Sequence, residues 1–178
     1  MPNGVVGWGG LVHATLAQVL LAGAAALVVR ILPSWLAAPQ TIQDYGWPSL
    51  RSLAVALPVL VGIQVALGAG FRQRLLGLMP HILGAMLVSL FILIVAAFVL
   101  QQAKDHKVLT LWARVMMVTT VIQVFLGIGV FTVRSIPQMD SGSVILMAAA
   151  HVTNGALLMA ASAILGMQIR RNVTPKAV

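Results

Sequence analysis

Five apolar stretches of roughly the 20-residue length that crosses a bilayer limit what this chain of 178 residues can become. They run from about Gly9 to Leu32, Leu50 to Phe71, Leu78 to Gln102, Leu109 to Val133 and Val144 to Ile169. None holds an acidic residue, and their arginines, Arg30, Arg51 and Arg114, lie toward the ends. Hydrocarbon offers no partner for backbone N–H and C=O groups, so segments of this kind cross as helices that satisfy themselves. Composition agrees. Mean hydropathy is +1.02, and charged residues are 8%, where a soluble domain carries roughly a quarter. The expected fold is an all-α integral membrane protein with five transmembrane helices in contact with the lipid bilayer. The net charge of +8 then orients the chain and implies no nucleic-acid partner. With no cysteine, disulfides, c-type haem attachment and iron–sulfur ligation by this chain are excluded. The N-terminus lacks a basic n-region, so no cleavable signal peptide is expected.

The connections follow from proline and charge. Pro33 to Ser49 holds three prolines before Ser49 and the polar run Gln40 to Tyr45, and reads as a loop. Pro48 suits the first turn of the second span, and Pro80 that of the third. Pro58 falls inside the second span, where neighbouring helices must satisfy the carbonyl it frees. Ser135 to Gly142 is a second loop. Arg30, Arg51, Lys104, Lys107, Arg114, Arg170, Arg171 and Lys176 fall on one face of the membrane, and Arg72, Arg74 and Arg134 on the other. The positive-inside rule makes the first face cytoplasmic, with the N-terminus outside and the C-terminus inside, as in a bacterial inner-membrane protein.

Three histidines, His13, His81 and His151, each open an apolar helix on the same, outer side. Ionisable residues are costly inside a bilayer and by default mark function. The chain also repeats itself. The second span contains Ile63-Gln64-Val65-Ala66-Leu67-Gly68-Ala69-Gly70-Phe71, and the fourth Ile122-Gln123-Val124-Phe125-Leu126-Gly127-Ile128-Gly129-Val130-Phe131. In each copy Gln and the first Gly are four apart and share a helix face. An arginine follows, Arg72 or Arg134, and then a histidine helix. The unit is a Gln-Gly helix followed by a His helix, present twice, with the first span as an extra His helix in front. Residues 1–49 thus form an N-terminal helix and loop, and 50–178 a four-helix bundle of two repeated pairs.

Two histidines from equivalent helices can approach a planar macrocycle from opposite faces and supply both axial nitrogens to its iron. That arrangement saturates the metal and suits electron transfer over oxygen binding. Gly68, Gly127, Gly84 and Gly155 permit close approach of a flat cofactor or a second backbone. Arg72, Arg74 and Arg134 stand where haem propionates would emerge, and the guanidinium fork suits carboxylates. Each feature has a plainer reading. A single interfacial histidine is as often only a hydrogen-bonded polar residue. Small-residue spacings by themselves mean helix packing, and Gln64 and Gln123 can glue helices by hydrogen bonds. His106, in the run Lys104-Asp105-His106-Lys107, reads as a solvated loop residue.

The motifs resemble the haem A synthase family of cytochrome oxidase assembly proteins. Leu11-Val12-His13-Ala14-Thr15-Leu16-Ala17-Gln18 resembles the family's fourth helix. IQVALGAGFR and IQVFLGIGVFTVR resemble its fifth and seventh, Pro80-His81-Ile82-Leu83-Gly84-Ala85 the sixth, and Ala150-His151-Val152-Thr153-Asn154-Gly155-Ala156-Leu157-Leu158 the eighth. The resemblance covers nearly the whole chain, as a C-terminal four-helix half plus one preceding helix. It implies haem b held by His81 and His151, with His13 left from a half whose first three helices are absent; either another membrane subunit supplies them or the chain has become a haem-carrying protein. The family's catalytic half carries a Glu beside its first histidine, whereas the only acids here are Asp44, Asp105 and Asp140. The oxidation of haem O to haem A therefore does not carry over. Two functions remain open: a haem-b protein acting in electron transfer or haem A formation within a larger complex, and a haem-free structural or assembly subunit. A transporter is a weaker third, since no broken helix with a central charge is visible.

Overall fold

The computed structural model describes the backbone of residues 3–176 and side chains from residue 7 onward. The described chain is α1 (Asn3–Ile31), α2 (Pro33–Leu36), β1 (Ile42–Gln43), α3 (Leu50–Arg72), α4 (Leu78–Gln102), α5 (Lys107–Ser135), α6 (Ser141–Asn172) and β2 (Val173–Thr174). The five long helices, α1, α3, α4, α5 and α6, are long and apolar enough to cross a membrane. The expected all-α membrane architecture is therefore present. Packing runs in a ring, α3 on α4, α4 on α5, α5 on α6 and α6 back on α3, with α1 laid against α3 and α6. In this ring α4 and α6 stand diagonally opposite.

Burial is uneven along the ring. Leu50, Leu57, Ile92, Val95, Val99, Leu109, Met116, Leu165 and Ile169 are almost wholly buried. All lie in the halves of their helices near the N-terminus of α3 and the C-terminus of α6. Toward the other end close packing gives way to half-exposed side chains, including Gln64, His81, Gln123 and His151. α3 and α6 approach closely where Pro58 interrupts α3. Proline has no N–H for the carbonyl of Ala54. That carbonyl faces Gly166 of α6, where a Cβ would stand only 2.5 Å from the oxygen. Glycine there lets the second helix cover the freed acceptor.

The long loop is more structured than proline content suggests. It holds α2 and β1, and β1 pairs in parallel with β2 just beyond α6. Arg171 donates to the carbonyls of Trp35 and Ala37 and lies 4.3 Å over the Trp35 ring. Arg51 Nη1 donates to the carbonyls of Arg170, at 3.0 Å, and Val173, at 2.6 Å. Arg51, at the start of α3, thus satisfies orphan carbonyls at the end of α6, and Arg171 does the same for the end of α2. Pro48 does not enter α3. It precedes the cap residue Ser49, because Asp44 takes over the helix start. The Asp44 carboxylate accepts from Ser49 Oγ at 2.9 Å and from the amides of Leu50 and Arg51 at 3.3 Å. Burial alone would raise its pKa, but these hydrogen bonds outweigh burial and hold the carboxyl below its ordinary range.

His106 is not solvated. It is 6% exposed and caps α5, its Nδ1 accepting from the Leu109 amide at 3.3 Å. Nε2 then carries the proton and donates to the Gln40 carbonyl at 2.9 Å. Asp140 caps α6 by accepting from the Ser143 amide at 2.8 Å. The helices extend past the apolar stretches that announce them, α1 from Asn3 and α6 to Asn172. At the end of α6 the continuing residues are the basic and polar Arg170, Arg171 and Asn172.

Candidate functional site

Each repeated unit builds the same contact between its two helices. In the first, Gln64 of α3 reaches the N-terminal turn of α4. Its Nε2 lies 3.0 Å from His81 Nδ1 and donates to the His81 carbonyl at 2.9 Å. In the second, Gln123 Nε2 of α5 lies 3.3 Å from both ring nitrogens of His151 on α6. The glycines make room for these side chains. A Cβ on Gly68 would stand 2.8 Å from His81 Cε1, and one on Gly127 3.2 Å from His151 Cε1. In return, a Cβ on Gly84 would meet Gln64 Oε1, and one on Gly155 would lie 3.2 Å from Gln123 Nε2. Every unit is a reciprocal lock. The imidazole rests over the glycine one turn past the glutamine, and the glutamine rests over the glycine one turn past the histidine. The helix period of 3.6 residues puts both partners on the facing surface.

The two locks face each other across the ring. The His81 and His151 ring centroids are 6.3 Å apart, and the ring planes are nearly perpendicular at 85°. Diagonal helices bring their only ring histidines to one point at the loosely packed end. Among the described residues no group of three or more His, Asp or Glu could hold a metal ion. The pair offers two protein nitrogens and no carboxylate, which suits a metal that brings its other ligands along.

One polar side chain joins the site that motif spacing did not reveal. Asn154, three residues after His151, donates from Nδ2 to Gln123 Oε1 at 2.7 Å and to the Thr119 carbonyl at 2.9 Å. The second lock is thereby tied at both ends of its amide. Gln64 Oε1 in the first lock is buried without a partner. The signal for Asn154 was an amide three residues after the histidine, on the histidine's own helix face. It breaks the repeat, since the equivalent position after His81 is Gly84.

The remaining candidates lie apart. Arg72 ends α3, Arg74 sits in the following turn with φ 59°, and Arg134 is in the last turn of α5. All three are exposed at the histidine end. The head of α1 is at that end too, since Gly7 and Gly10 abut Leu75 and Gln73 of the α3–α4 turn. His13 nevertheless points away from the pair. It is exposed on an outward flank of α1 with Trp8, Gly9, Val12 and Leu16. No family model, curated protein or solved structure matches the chain.

Proposed function

We propose that this protein binds haem b in the membrane, with His81 and His151 as its two axial ligands. The spacing of the pair carries the reading. An imidazole nitrogen binds a first-row metal at about 2 Å, and with roughly 1 Å more to each ring centre two axial rings are expected roughly 6 Å apart. The observed 6.3 Å matches. The donor set fits as well, since an iron tetrapyrrole supplies four nitrogens and needs two. Haem in this setting would supply one-electron redox chemistry, its iron closed to oxygen. The residues of this chain position the imidazoles. For a ring to bind metal through one nitrogen, the other carries the proton and donates to an acceptor, which orients the ligand. Gln64, whose side-chain amide lies 3.0 Å from His81 Nδ1, is placed to orient that ring. Arg72, Arg74 and Arg134 would meet the propionates.

In its setting the protein would lie in a bacterial inner membrane, N-terminus outside, and act in electron transfer or haem A formation with other membrane subunits. The outward flank carrying His13 is the natural face for such a partner subunit. A haem-free structural role is the second reading. It is favoured by Gln64 and Gln123, whose amides as placed stand within hydrogen-bond distance of both imidazoles without a metal.

An absorption spectrum separates the readings. Purified protein should show a low-spin Soret band that shifts on reduction. His81→Ala and His151→Ala should each abolish it while leaving helical content intact. A full spectrum in both single variants, or no haem after expression with excess haem precursor, would sink the haem reading and leave the structural one.

A further inference from the structure

The other end of the bundle holds a second site candidate. A cavity of about 740 Å³ opens between the start of α3 and the end of α6, lined by Arg51, Arg170, Lys176, Ser52, Asp44 and Val55 among others. Three cations face one acid. The Asp44 carboxylate is already engaged by Ser49 and by the amides that start α3, leaving the cavity an excess of positive charge. Arg51 is held rigid. Its Nη1 is committed to the carbonyls of Arg170 and Val173, and the rest of the guanidinium keeps N–H donors for an anion. Arginine locked in this way offers a planar fork at reduced entropic cost, which suits a phosphate. Arg170 and Lys176 are exposed at the same mouth and bring mobile charge to it.

The cavity also has an apolar exit. Val55 lines it and is 50% exposed, and Val59 and Ile63, each a turn further along the same stripe of α3, are 56% and 52% exposed. Arg51, Val55, Val59 and Ile63 follow one another at intervals of four, so charge passes into a continuous apolar strip along one helix face. A free phosphate compound has no use for that strip. A phospholipid matches both parts, with its headgroup among the cations and its acyl chain along the valines. Basic pockets between membrane helices at the interface bind anionic headgroups for this reason.

We infer that the cavity at the start of α3 binds the headgroup of an anionic glycerophospholipid, with Arg51, Arg170 and Lys176 as phosphate ligands and Val55 and Val59 against the acyl chain. The test is a thermal unfolding titration of the full chain in neutral detergent with dioctanoyl phosphatidylglycerol, dioctanoyl phosphatidylcholine or glycerol phosphate. Phosphatidylglycerol should raise the midpoint in a saturable way, and the other two should not. The double substitution Arg170→Gln with Lys176→Gln removes side chains that make no hydrogen bond holding the loop. It should weaken the lipid's apparent affinity about tenfold or more. Lys104→Gln with Lys107→Gln removes the same charge elsewhere on the same membrane face and should leave the affinity within about twofold. Lys176→Gln alone, beside the C-terminus, should weaken binding in the same direction and guards against misfolding of the double variant. Equal stabilisation by phosphatidylcholine would overturn the site, as would equal losses in the two double variants. Glycerol phosphate acting as strongly as the lipid would replace the lipid with a soluble phosphate compound and overturn it too.

Discussion

At the residue scale, the two locks show how little space a histidine site in a membrane bundle needs. Each imidazole has the width of one missing Cβ on the neighbouring helix. Gly68→Ala puts a methyl group 2.8 Å from the His81 ring, and Gly127→Ala puts one 3.2 Å from the His151 ring. Overpacking of this kind costs about 1–3 kcal/mol, and the closer contact should cost more. We expect Gly68→Ala to lower the unfolding midpoint in detergent further than Gly127→Ala, and to alter any haem spectrum first. Equal midpoints for wild type and both variants would show that the rings move aside freely. Most of this pairing was legible in the residues, because Gln, Gly and His recur at helical spacing in two copies. Asn154 was not legible, since it occurs in one copy only. His106 was misread for a different reason. Its partner Gln40 is distant in sequence, and a charged neighbourhood looks solvated until the fold brings a carbonyl to it.

At the element scale, the ends of the helices depend on single side chains. Asp44 stands in for the missing donors' partner at the start of α3, although it lies six residues before Leu50. Replacing it with Ala leaves buried amides unpaired and should cost about 1–3 kcal/mol. The pH dependence has a definite sign. The carboxyl titrates in the folded protein below its ordinary 3.8. Its contribution is therefore complete above that value and is lost as pH falls through the lower, folded one. The gap in unfolding midpoint between wild type and Asp44→Ala should be constant near neutrality and shrink below pH 3.8. A gap that does not change with acid would mean the carboxylate charge contributes nothing. The long spans were readable from length and apolarity alone. α2, β1 and the capping of α3 by Asp44 were not, because they rest on contacts between residues distant in sequence, which no local pattern records.

At the scale of the whole molecule, eight of the eleven basic residues share one face. On the proposed orientation, the positive-inside rule would put the histidine pair near the outer surface. The chain has no cysteine, so single cysteines report topology cleanly. In intact cells an impermeant thiol reagent should label Ser141→Cys, at the first residue of α6, and spare Lys104→Cys, in the turn after α4. The reverse pattern would invert the orientation.

The stitched loop has a consequence for the distant histidines. Between Ile169 and His151, α6 runs eighteen residues, about 27 Å at 1.5 Å per residue. Anchored at its far end by that loop, it would carry a change of tilt there to the histidine as a lever arm does. A tilt of roughly two degrees at the Arg171–Trp35 clamp becomes about 1 Å at the imidazole, enough to make or break a bond to a metal. The residues that set the reach of His151 therefore include some that never come near it.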